Sequence, residues 1–134
     1  MIRLVIATAA VALIPLQAHA QDRNGGFMVH QMCVATNENV AEINELSAIT
    51  KPILDDLKAE GMISAWFELR HGWGDEYNVG TVTVADSHRA WLDFWSEFLA
   101  RAREAEPGIL RRMNDACLMH KDNMYNVRDM SVGS

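Results

Sequence analysis

Along this chain the apolar residues recur every second position, then every three to four, and the whole cycle is repeated once. Few topologies accommodate that order of periods. Phe27 to Ala35 alternates, with Phe27, Val29, Gln31, Cys33 and Ala35 on one face and Met28, His30, Met32 and Val34 on the other. Asn39 with Glu42 has the spacing of a capping box, and Val40, Ile43, Leu46 and Ile49 then step at helical spacing. Pro52 predicts a kink or a fresh start, Ile53, Leu54 and Leu57 continue the stripe, and Gly61 suits the position just past a helix end. Ile63 to His71 alternates again, Ile63, Ala65, Phe67 and Leu69 against Ser64, Trp66, Glu68 and Arg70. A turn is expected over Gly72 to Glu76 and a return strand over Tyr77 to Ala85. Asp86 or Ser87 caps a second helix, whose Trp91, Phe94, Trp95 and Phe98 form an aromatic stripe that reads as core. Pro107 ends that helix, Gly108 to Cys117 predicts a shorter one, and Met124 to Met130 a last strand.

The principal order, βαββαβ, is the split βαβ or ferredoxin-like arrangement of α+β proteins. It implies an antiparallel four-stranded sheet in the order 4-1-3-2, with the helices on one face. Nothing divides residues 21–134, and with 49% hydrophobic and 22% charged residues in 134 the composition is that of one globular domain. A net charge of −6 excludes an electrostatic grip on nucleic acid.

Residues 1–20 read as a signal peptide: Arg3 precedes an apolar run from Leu4 to Leu16, and Ala18-His19-Ala20 is a small-x-small cleavage site. Cleavage after Ala20 predicts a periplasmic or secreted protein with no membrane attachment left. Export places Cys33 and Cys117 in an oxidising compartment, where they can form a single intramolecular bond. The topology also brings them close: Cys33 lies near the end of the first strand and Cys117 just before the fourth, which runs antiparallel beside it. No CxxC or CxxCH motif is present, so neither thioredoxin-type chemistry nor covalent haem attachment is expected.

With helices on one face only, the other face carries Met28, Met32, Trp66, Val82 and Val84. So much apolar surface calls for a second copy packed sheet to sheet, hence a homodimer. The element order resembles the dimeric α/β-barrel superfamily, which includes antibiotic-biosynthesis monooxygenase, EthD-like and NIPSNAP-type domains. The run Lys51-Pro52, Gly61-Met62-Ile63, Trp66 and Asp75-Glu76-Tyr77-Asn78-Val79 carries the likeness over Phe27 to Met130. The resemblance implies a barrel with a cavity. Members of the superfamily include haem enzymes, cofactor-free oxygenases and proteins without known activity, so fold alone names no function.

No HExxH, zinc-finger spacing, GxSxG or Gly-rich phosphate loop is present. Three groups remain. Trp66, Arg70 and Asn78 are candidate ligand-binding residues around the cavity, which would take a small, mainly apolar molecule. In an enzyme reading, Glu68 with a raised pKa acts as base beside His30 or His71, while Arg70 holds an anionic substrate, as in a cofactor-independent monooxygenase or isomerase. In a metal reading, Met28, His30 and Met32 hold soft Cu(I), with Met119, His120 and Met124 nearby. No resident cofactor is expected. Haem-degrading relatives carry a ligating His well inside the second helix, whereas Phe94 to Arg103 contains none and His88 sits at the helix start. The expected function is that of an exported binder of a small apolar molecule, with the enzyme and Cu(I) readings open beside it.

Overall fold

The computed structural model describes residues 26–71 and 76–128. The expected signal peptide, most of the turn after His71 and the end of the last expected strand lie outside these residues. The elements are β1 (Gly26–Val34), α1 (Asn39–Ala59), β2 (Ala65–Arg70), β3 (Val79–Ala85), α2 (His88–Ala105), α3 (Ile109–Ala116) and β4 (Met119–Val127). The strands form one four-stranded sheet in the order β2-β3-β1-β4, and every neighbouring pair is antiparallel. This is the expected ferredoxin-like fold, with α3 added between α2 and β4. No described helix is long and apolar enough to cross a membrane.

One face of the sheet packs on the helices. Val29, Leu57, Phe94 and Ile109 are fully buried there, inside a cluster that also takes Phe27, Cys33, Leu46, Leu54, Trp91 and Phe98. The aromatic stripe of α2 is core, as its spacing predicts: Trp91 stacks on Trp95 at 5.5 Å, and its Nε1 donates to Thr83 Oγ1 at 2.9 Å. Met32, Val82 and Val84 are buried too but stand outside that cluster, on the opposite face. Among the described residues no element covers that face, which we call the open face.

Helix ends show where local signals succeed and where tertiary contacts override them. Ser87 caps α2, its side chain accepting from the Ala90 N–H at 3.1 Å. The capping box at α1 does not form. Thr36 supplies the oxygens for the Asn39 and Val40 N–H groups, while the Asn39 amide donates to the Ala116 carbonyl and Glu42 is drawn to Arg112 at 2.6 Å. Helix α1 runs on through Pro52, so no fresh start occurs there. The proline removes one N–H, whose partner would have been the carbonyl of Ala48, an exposed residue. At the far end Gly61 has φ +79°, and the Gly61 and Met62 N–H groups close a Schellman motif onto Lys58 and Leu57. We expect Gly61→Ala to cost about 1 kcal/mol, because Ala is strained in the left-handed region. Urea unfolding checks this; no shift in midpoint would show that the turn relaxes.

Two sequence expectations are corrected. Strand β4 begins at Met119 rather than Met124 and pairs with β1 from Val34↔Met119 to Gly26↔Val127. Its first half, Met119 to Asn123, is polar and largely exposed, as an edge strand permits, and so carries no alternation to read. The second correction concerns β2. Ile63 is buried in the core, but a bend at Ser64, whose N–H and Oγ both donate to the Val84 carbonyl, separates it from the strand. The bend shifts the alternation by one position. Trp66, Glu68 and Arg70 therefore share the helix face with Thr83, Thr81 and Val79, and Phe67 and Leu69 take the open face instead of Trp66.

Candidate functional site: a cavity between sheet and helices

Register places Glu68, Thr81 and Gln31 in one row across β2, β3 and β1 on the helix face. Above this row lies a cavity of about 370 Å³. Its roof is apolar: Leu46 from α1, Trp95 and Leu99 from α2, Leu110 and Met113 from α3. One end is closed by the Cys33–Cys117 disulfide, whose Cα atoms are 5.4 Å apart, with His120 beside it. A mostly apolar chamber with a few convergent polar groups is the ordinary form of a small-molecule site. Gln31 and Thr81 supply donors and acceptors from the sheet.

Glu68 belongs to the cavity lining, but its chemistry differs from the expectation. Its side chain is 16% exposed; Oε2 meets Lys51 Nζ at 2.7 Å and Oε1 is paired with Arg70. Burial pushes its pKa up, yet the Lys51 hydrogen bond and the charges of Arg70 and Lys51 outweigh that, and the net position is below the ordinary carboxylate value. A base with a raised pKa is thereby replaced by a carboxylate held ionised between two cations. Of the two expected histidine partners, His30 points to the open face, on the other side of the sheet. His71 follows β2, exposed, with its backbone N–H donating to the Asn78 carbonyl.

The three expected ligand-binding residues are not among those lining the cavity. Trp66 packs on the core and donates through Nε1 to Asp55 at 3.0 Å. Arg70 bonds Asn44 at 3.0 Å besides Glu68. Both ends of the Asn78 amide are tied to Ala35: Oδ1 accepts from the Ala35 N–H at 2.8 Å and Nδ2 donates to the Ala35 carbonyl at 2.7 Å. It acts as one more rung of the ladder where β1 leaves the sheet. His88, at the start of α2, lies against Phe27 with ring centroids 4.8 Å apart.

Met28, His30 and Met32 share the open face, whereas His120 and Met124 fall on the helix face and Met119 stands opposite Val34. His120 is bonded instead to Asp122 at 3.0 Å. The residues that sequence reasoning missed are Gln31 and Thr81. Their signal was present: Gln31 is the one polar side chain on the otherwise apolar Phe27, Val29, Cys33 and Ala35 face.

The fold and this chamber define a ferredoxin-like α+β protein with a ligand-sized cavity under its helices. Solved structures share that fold. A protein of unknown function from Nitrosomonas europaea superposes with a TM-score of 0.61 at 11% identity, covering 84% of this chain and 98% of the other. A dimeric ferredoxin-like protein from an uncultured marine organism gives 0.62 at 13% identity, covering 83% and 94%. A NIPSNAP family protein with unknown function from Agrobacterium tumefaciens gives 0.58 at 7% identity, covering 83% and 95%. No family model and no curated protein matches the chain.

Proposed function

We propose that this protein is an exported homodimer that binds a small, mainly apolar molecule carrying one or two hydrogen-bonding groups in the cavity under its helices. The observation that carries the reading is the Glu68-Thr81-Gln31 row beneath an apolar roof. The apolar body of the ligand takes the roof, and its polar group takes Gln31 and Thr81. A binding role is favoured over catalysis because Glu68 is already neutralised by Lys51 and Arg70, and His30 stands across the sheet. Export rests on the signal-peptide pattern of residues 1–20.

Homodimerisation rests on the open face. Phe67, Leu69, Met119 and Tyr125 are each 41–46% exposed there, around buried Met32, Val82 and Val84. Such a patch is costly in water, and the marine protein of the same fold is dimeric.

Titration with N-phenyl-1-naphthylamine, which fluoresces in apolar surroundings, tests the cavity. We expect saturable binding of one probe per chain, displaced by 1-naphthol more readily than by naphthalene. A single hydrogen bond worth about 1 kcal/mol makes that difference roughly fivefold. Gln31→Leu combined with Thr81→Val should erase the preference while leaving naphthalene binding intact. Absence of saturable probe binding would refute the cavity as a ligand site.

A further inference from the structure

We infer that the open face also holds a Cu(I) site, built within one strand from Met28, His30 and Met32. Three observations converge on it. The three side chains alternate onto one face of β1, a central strand, each within about 7 Å of the next along the strand. The His30 imidazole leans over Gly80, where a Cβ would stand only 2.8 Å from Nε2. Gly80 is the cross-strand partner of Met32, so the bare glycine lets Nε2 reach the row that Met32 occupies. Met28 precedes His30 on the same face of the strand, so the row offers one nitrogen and two sulfurs.

The surroundings select the ion. Val82, Val84 and Phe67 line the same face, Asn123 and Tyr125 stand opposite His30 and Met28, and none of the described strand residues on this face is a carboxylate. Hard dications need several oxygen ligands, and without a carboxylate these strands offer only the Asn123 amide and the Tyr125 hydroxyl; thioether and imidazole suit a soft monovalent ion. The His30 imidazole makes no side-chain hydrogen bond among the described residues.

The three side chains face away from the Gln31, Thr81 and Glu68 row, so the site does not rest on the cavity reading. It shares the open face with the proposed second copy, and its titration is therefore repeated on Phe67→Glu protein, in which that face is uncovered. The test is anaerobic titration of the purified protein with Cu(I) supplied as its bis-bathocuproine disulfonate complex. We expect one Cu(I) withdrawn per chain, with the Met28 and Met32 methyl resonances of methyl-13C-methionine-labelled protein shifting on uptake and those of Met62 and Met124 unmoved. Met28→Leu with Met32→Leu nearly conserves volume and should weaken uptake by more than about a hundredfold, beyond the loss typical of an outer-shell change. Met62→Leu with Met124→Leu should leave it unchanged. No withdrawal of Cu(I), equal withdrawal by the Met28/Met32 variant, or shifts confined to other methionines would overturn the assignment. The resonance readout on unsubstituted protein decides the question even if the double variant fails to fold.

Discussion

Phe67→Glu is expected to convert a dimer of twice the chain mass into a folded monomer. Phe67 is 45% exposed in the protomer, so the substitution disturbs little of its core. It sits on the open face beside Val82, on the edge strand β2 of the surface proposed to meet a second copy. Sheet-to-sheet interfaces of obligate dimers commonly bury about 2,000 Å² or more with an apolar centre. A carboxylate there loses its water without gaining a partner, at a cost of several kcal/mol, about a hundredfold or more in the dissociation constant. Val82→Asp is a harsher change. Val82 is only 3% exposed within the protomer, so Asp there strands a charge in either state and should lower the melting temperature as well as the mass. Light scattering at tens of micromolar, read beside circular dichroism, separates the two. A wild-type monomer, or a Phe67→Glu dimer, would remove the interface.

The second large effect is expected from Cys33 and Cys117. The bond joins the end of β1 to the residue after α3 across 84 positions of sequence. Opening it returns chain entropy to the unfolded state, about 4–5 kcal/mol for a loop of this length. Cys33→Ala with Cys117→Ala should therefore unfold at a much lower urea concentration than the oxidised protein. It should not release α3 altogether, because Arg112 still holds Glu42 and Glu45, and Asn39 still bonds the Ala116 carbonyl. Both cysteines also line the cavity, so the same variant should bind N-phenyl-1-naphthylamine more weakly. Thiol counting in denaturant without reductant should find none; two free thiols, or an unchanged urea midpoint, would contradict the account.

Much of the fold is legible in the order of residues alone. Alternation and helical spacing are local, and local chemistry sets most element limits: Ser87 at a helix start, Gly61 past a helix end, Pro107 between helices. The element order then constrains the topology, and the topology brings Cys33 to Cys117. Phase and partnership are not legible in the same way. The face of β2 turns on one bend at Ser64, and a shift of one residue exchanges every side chain between faces. Trp66 and Phe67 change places for that reason alone.

Partnership is the deeper limit. Whether Glu68 is a base with a raised pKa or a paired carboxylate depends on Lys51, which reaches it from another element. Whether Asn78 is free for a ligand depends on Ala35, 43 residues away. The cavity itself exists because α1, α2 and α3 meet the sheet at a distance that leaves Gln31 and Thr81 uncovered, and no stretch of sequence encodes that distance. The sequence by itself determined the number, kind and order of the elements, though not where β2 and β4 begin, together with the strand order of the sheet and the proximity of its two cysteines, since each follows from periodicity and chain connectivity. The tertiary structure alone decided which side chains face the cavity and which are already spoken for, since burial, charge pairing and register are properties of residues that meet only when the chain is folded.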